Sequence, residues 1–267
     1  MTLAAFLPPR LLVHVRHVFP HESDLAIAES WEDLDRLIRR TPVRAVILDP
    51  SADGVMKISE VQDLMTRYPS LPLVGYLALS APGFKAIAQL AREGLRDVVL
   101  HRFDDSPERF RERVESVQSS PVTREVLDIL APKLARLPRT IARAVEDLFD
   151  QPHRYRTAMD LAHGARVAVV VLYRNFHLAE LGLPKRLISA ARQLKAYTYM
   201  RDPGYTIVDV STKLGYRSTR IFTEHALSIF GLTPGRVRAR ISEEEALRLV
   251  LAWIRSGAAD AVEVETE

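Results

Sequence analysis

Not one of the 267 residues is a cysteine. Disulfides and thiolate metal sites are therefore excluded, which suits a reducing cytoplasm. Long apolar runs are missing as well. The longest uncharged apolar stretch, 167–173, is far shorter than the roughly 20 residues a membrane-crossing helix needs. The opening MTLAAFLPPR has neither a basic n-region nor a small-residue cleavage site, so no signal peptide is expected. There is no nucleophile elbow, phosphate-binding glycine loop or metal-ligand motif to suggest an enzyme or a bound cofactor. These absences predict a cytoplasmic, non-catalytic protein with no membrane partner. Its length, without a long repeat, favours two domains over one.

What is present is an uneven distribution of charge. The whole chain carries 37 Lys+Arg against 34 Asp+Glu. Residues 151–241 alone hold 15 basic and 5 acidic residues, a balance of +10, which leaves 22 against 29, or −7, for the rest. Such asymmetry points to a polyanionic partner for one region only.

The first 118 residues alternate between strand and helix patterns. Strands are predicted at Leu11–Phe19, Leu25–Ala28, Val43–Leu48, Leu71–Leu79 and Val98–Leu100 from runs rich in apolar and β-branched residues. Helices are predicted at Trp31–Arg40 (capped by Ser30), Ile58–Tyr68, Phe84–Glu93 (closed by Gly94) and Glu108–Val117. This order implies a parallel sheet covered on both faces. Residues 1–118 thus resemble a flavodoxin-like domain of the kind found in response-regulator receivers. Asp49 stands where receivers carry their phospho-acceptor, and Ser80 where they carry Ser or Thr. The acidic pair expected after the first strand is missing, and His101-Arg102 replaces Lys-Pro after the fifth. Phosphoryl transfer needs a metal and cations around the developing charge, so a receiver-like domain that is not phosphorylated is expected. His14, His17 and His21 are not read as a metal site, because residues 14 and 17 of a strand point to opposite faces.

Residues 119–138 read as a connector containing a helix, with Val126, Leu127, Ile129, Leu130 and Leu134 as an apolar patch able to pack on either domain or on a second subunit. An amphipathic helix follows at Arg139–Phe149. Two helix-turn-helix units come next. In the first, Ala158–Ala162 leads and Val167–Leu181 is the recognition helix, with Arg166 at a turn position that commonly holds Gly. The long helix Leu183–Met200 joins the units. In the second, Ile207, Val210, Ser211 and Leu214 form the inward face of the leading helix, and Gly215 makes the turn. Thr219–Phe230 is the recognition helix, with Ile221, Phe222, Ala226, Ile229 and Phe230 inward. Gly231 and Pro234 end one helix and begin the next. Ser242 caps a last helix running to Ser256, whose inward face is Leu247, Val250, Leu251 and Ile254. An acidic, disordered tail is expected beyond it.

Ile207, Val210, Ser211, Gly215, Tyr216, Ser218, Phe222, Phe230, Gly231, Thr233, Pro234 and Arg238 resemble the second helix-turn-helix of AraC-type transcription regulators. Leu172-x-Arg174-x-Phe176 resembles the signature of the first, and Arg192, Ala196 and Met200 that of the bridging helix. The resemblance spans about 140–241. It implies duplex DNA as partner, with Ala168, Val171, Tyr173 and Arg174 of the first unit and Ser218, Thr219, Arg220 and Thr223 of the second facing the groove. Lys213, Arg217, Arg236 and Arg238 are implied phosphate contacts. A homodimer through the N-terminal domain or the connector, and RNA polymerase, are further implied partners. The chain departs from the family where Glu224, Ala226 and Leu227 replace R-x-F-K after Phe222, and an acid there repels phosphate. Val167–Val171 also offers few donors to base edges. These departures support a second reading, a helix-turn-helix fold retained for protein–protein contacts. The expected architecture is an α/β receiver-like domain (1–118), a connector (119–138), an all-α domain with two helix-turn-helix units (139–257) and an acidic tail (258–267).

Overall fold

The computed structural model describes residues 2–21, 25–116 and 121–263. The chain divides into two compact units, Met1–Gln118 with Asp202–Tyr205, and Ser119–Arg201 with Thr206–Glu267.

The first unit is a five-stranded, all-parallel sheet in the order β2-β1-β3-β4-β5, made of β1 (Thr2–Phe6), β2 (Leu25–Ile27), β3 (Val43–Leu48), β4 (Leu73–Ala78) and β5 (Asp97–His101). Helices α1 (Pro9–Val18), α2 (Trp31–Arg40), α3 (Ile58–Arg67), α4 (Ala81–Arg92) and α5 (Pro107–Ser116) alternate with the strands. This is the flavodoxin-like α/β class that the alternating pattern implied. Ala45, Val46, Ile47 and Leu48 are fully buried in β3, as expected for a strand covered on both sides. Ser30 caps α2 by accepting a hydrogen bond from the Asp33 amide at 3.1 Å.

The predicted first strand, Leu11–Phe19, is a helix. Pro9 sits at its first turn, where a proline is already preset for helix and its missing N–H costs nothing. Leu11, Val15 and Val18 are fully buried at helical spacing, whereas Val13 is exposed. The β-branched content of this run disguised a 3.6-residue period. The true first strand, TLAAF, is short and buries Leu3, Ala4, Ala5 and Phe6, so it shows no alternation for a period-two search to find.

The second unit is helical: α6 (Pro121–Leu134), α7 (Arg139–Asp150), α8 (Ala158–Gly164), α9 (Val169–Leu178), α10 (Pro184–Arg201), α11 (Ile207–Lys213), α12 (Thr219–Phe230), α13 (Pro234–Arg240) and α14 (Glu243–Glu263). Helix α10 is buried nearly all round and packs against α7, α8, α11, α12, α13 and α14, so it is the axle of the unit. Helix α6, from the stretch expected as a connector, packs on α7, α10 and α14, burying Val122, Val126, Leu130 and Leu134 while Ile129 stays exposed. Helix α14 buries Leu247, Val250, Leu251 and Ile254, the face expected, but continues to Glu263. The start of the expected acidic tail is therefore helical, and residues 264–267 lie outside the described part. Among the described residues, no helix is long and apolar enough to cross a membrane.

Candidate nucleic-acid interface

Two helix pairs in the second unit share one local design. Thr157 caps α8 and Thr206 caps α11, each reciprocally with the third residue of its helix, Asp160 or Asp209. Each leading helix ends on the same pair of backbone bonds. In the first unit, Arg166 N–H donates to His163 O at 2.9 Å and Val167 N–H to Ala162 O at 3.0 Å. In the second, Gly215 N–H donates to Thr212 O at 2.9 Å and Tyr216 N–H to Ser211 O at 3.0 Å. This termination places its central residue in the left-handed region: φ is 70° at Gly215 and 56° at Arg166. An arginine thus occupies a conformation that favours glycine, as its position in the motif implied.

The second helix of each pair follows. Leu172 and Phe176 are fully buried in α9, as are Phe222 and Ala226 in α12, so the two helices present corresponding faces fifty residues apart. In α9 the outward face carries Val170, Tyr173, Arg174 and His177. Ala168 is exposed at the N-cap, and Val171 is only half-exposed, its carbonyl accepting from Asn175 Nδ2 at 2.8 Å. The sequence reading missed Val170 and His177. Counting back and forward from the buried Leu172–Phe176 pair finds both.

In α12 the outward residues include Arg220, Glu224, Leu227 and Ser228, with Arg217 and Ser218 exposed before the first turn. Ser218 Oγ accepts from the Ile221 amide at 3.3 Å, which caps the helix. Thr219 and Thr223 are half-exposed, and Thr223 Oγ1 donates to Thr219 O at 2.9 Å. Ile221, expected to face inward, is 36% exposed, because the core on this side is filled by Phe222, Ala226, Ile229 and Phe230. Glu224 lies on the outward face one turn after Arg220. Its Oε1 accepts from Arg220 Nε at 2.8 Å, and the carboxylate holds the pKa of Arg220 above its ordinary value. The acid at this position therefore occupies the neighbouring guanidinium.

Two of the four implied phosphate contacts are placed differently. Lys213 is buried, 2% exposed, with its ammonium 4.6 Å from the centre of the Tyr199 ring. It shares the inward side of α11 with Val210 and Leu214, and a buried ammonium does not reach a phosphate. Arg238 is half-buried, and its Nε donates to Met200 O at 2.7 Å, a cation at the carbonyl end of α10 that suits the helix dipole. Arg217 and Arg236 are exposed.

A buried arginine ties the second unit to the axle. Arg192 Nη2 donates to Leu214 O at 2.8 Å, and its guanidinium stacks 3.8 Å from the centre of the Tyr216 ring. Gln193 Nε2 donates to Tyr216 OH at 2.9 Å. Burial lowers the pKa of Arg192. The guanidinium satisfies a carbonyl at the end of α11 and fixes the turn that sets the entry of α12.

In the first unit, Asp49 follows β3 but is 2% exposed. Its Oδ1 accepts from both Ser51 N (2.8 Å) and Ser51 Oγ (2.7 Å). Ser80 Oγ accepts from Gly83 N at 3.1 Å and caps α4. With β1 reassigned, the residues that follow the first strand are Leu7, Pro8, Pro9 and Arg10, again without a carboxylate. His101 Nδ1 lies 2.8 Å from Tyr76 OH and 2.7 Å from Asp105 Oδ2. The strand argument separating His14 from His17 does not hold on a helix. His14 turns inward, with Nε2 2.8 Å from Asp105 O, whereas His17 and His21 are exposed. Among the described residues, no group of three or more His, Asp and Glu is placed to hold a metal.

No family model matches the chain, and no curated protein matches it. Among solved structures, full-length FixJ from B. japonicum is similar at 13% identity with a TM-score of 0.39, over 87% of this chain and 98% of that chain. Likeness at this level assigns neither family nor activity.

Proposed function

We propose that the chain is a DNA-binding transcription regulator of the AraC type, whose second unit reads duplex DNA through α9 and α12 while the receiver-like unit works without phosphorylation. The observation that carries this reading is the duplication itself. Two capped helix pairs with the same turn flank one rigid bridging helix, in the stretch whose balance is +10. A bridging helix that fixes two recognition helices suits adjacent major-groove segments, about 34 Å apart along one helical turn. Tyr173, Arg174, Arg217 and Ser218 are the groove and phosphate contacts, with Arg236 at the start of α13, while Glu224 holds Arg220 back from the same face. The setting is the cytoplasm, and the further partners are a second copy of the chain and RNA polymerase.

The test is selection of bound sequences from random duplexes by the full-length protein. Enrichment of two short half-sites about 10 base pairs apart supports the reading; recovery of unenriched sequence speaks against it. A second reading, a helix-turn-helix fold that binds protein, is favoured by one observation. Val170 is 78% and Leu178 67% exposed on the outward side of α9, an apolar surface poor in groups that read base edges.

A further inference from the structure

A cavity of about 290 Å³ opens between the start of α10, the C-terminal half of α12 and the middle of α14. Its walls are chemically divided. Leu183, Ile229 and the indole of Trp253 supply apolar surface, Ser189 and Ser228 supply hydroxyls, and Lys185 and Arg186 supply two positive charges. No acid lines it. The Arg186 guanidinium is preorganised: it lies 4.5 Å from the centre of a Trp253 ring and donates to Ser256 Oγ at 2.8 Å. His225 completes the wall. Burial lowers its pKa, so an incoming group meets a neutral imidazole at neutral pH.

The geometry points to this cavity as a binding site for a small planar aromatic carboxylate, whose occupancy strengthens the grip of α12 on DNA. The volume sits at the small end of ligand pockets, enough for a single ring with short substituents and too small for a nucleotide. An aromatic ring fits the indole and the aliphatic floor. The carboxylate meets the ammonium of Lys185 beside the positive charge of Arg186, and charge-assisted bonds of this kind are the strong ones. Three of the lining residues, His225, Ser228 and Ile229, lie on α12, whereas Leu183, Lys185, Arg186 and Ser189 belong to the α10 side and Trp253 to α14. A ligand that touches all three elements ties the second recognition helix to its axle, and a helix already ordered loses less freedom on binding DNA. The coupling to DNA rests on the function proposed above; the binding site does not.

The experiment titrates the full-length Trp31→Phe protein with benzoate while following the emission of Trp253. A saturable change is expected, together with a melting temperature that rises with benzoate concentration. Benzylamine, with the same ring and opposite charge, and acetate, with the charge and no ring, are expected to leave both readouts unchanged. Lys185→Ala should weaken benzoate binding at least about tenfold, the loss typical of a hydrogen bond to a charged group. Ser228→Phe, which fills the cavity from a position on the helix surface, should abolish it. No saturable response at millimolar benzoate, equal binding of benzylamine, or binding indifferent to both substitutions would overturn the site. Because this titration uses free protein, it stands whether or not the protein binds DNA. Duplex affinity measured with and without benzoate then tests the coupling: a severalfold increase supports it, and benzoate bound in the cavity with unchanged duplex affinity refutes it.

Discussion

Replacing Glu224 by glutamine removes the carboxylate that holds Arg220 2.8 Å away and leaves the guanidinium available to a phosphate. The geometry at α12 is otherwise kept, since both side chains lie on the outward face and neither contributes to the core. Their side chains are 87% and 54% exposed, so the pair adds little to stability, and the melting temperature is expected to stay where it is. Each phosphate neutralised contributes about −0.9 to the slope of log affinity against log salt. At about 0.1 M salt one additional contact corresponds to roughly 0.9 log units, so Glu224→Gln should bind duplex up to about eightfold more tightly, with a slope steeper by about one. Arg174, at the corresponding position of α9, has no acid on its own helix. Arg174→Ala should therefore cost on the order of 1–3 kcal/mol, the loss expected of a base-edge contact. The assay is fluorescence anisotropy of a labelled duplex across a salt series. Unchanged affinity and slope in Glu224→Gln would mean that α12 does not face the phosphates, and the placement of the second recognition helix would be wrong.

Arg166→Gly should raise stability by about 0.5–1 kcal/mol, because relief of the left-handed penalty outweighs the added chain entropy. Gly215→Ala should lower it by roughly 1–2 kcal/mol. A Cβ at Gly215 meets nothing closer than 3.5 Å, so the backbone alone sets that cost; urea midpoints that shift in the same direction for both variants would refute the argument. Burial depresses His153 from 6.5 to about 4 and lowers His225 as well. Both fold as neutral groups that the unfolded chain protonates first. Their contribution is fully present above about pH 6.5 and is lost as pH falls through their lowered values, about 4 for His153. Stability should decline between pH 6.5 and 5, above the carboxylate range, and His153→Gln should flatten that decline; an unaltered profile would contradict the assignment. Asp49 should form no adduct with a small phosphodonor and Mg²⁺, and a mass increase abolished by Asp49→Asn would overturn that view.

Much of the second unit was legible because its signals are local. Gly215, Ser218, Gly231 and Pro234 mark turn, cap and stop within a few residues of the elements they bound, and all four do so in the structure. The α/β alternation was legible for the same reason. The first strand and first helix were not, since a five-residue strand buried on both faces has no periodicity and a β-branched helix imitates a strand. Lys213 was misplaced by giving residue type precedence over period: it follows Val210 by three positions and so falls on the inward side of α11, where the Tyr199 ring receives its charge. The Arg220–Glu224 pair was half legible. The acid stood out against the family pattern, but its reach to the residue one turn earlier is a matter of rotamers that no sequence pattern carries.

The most direct test of DNA recognition by this chain is the salt dependence of duplex binding by the full-length protein. With Arg217 and Arg236 on phosphates, Arg174 on a base edge and Arg220 partly masked by Glu224, log affinity should fall with log salt at a slope of about −2 or steeper, from about 0.9 for each phosphate neutralised. A flat dependence, or no binding to any duplex at low ionic strength, would contradict it and leave the two helix-turn-helix units as a surface for protein.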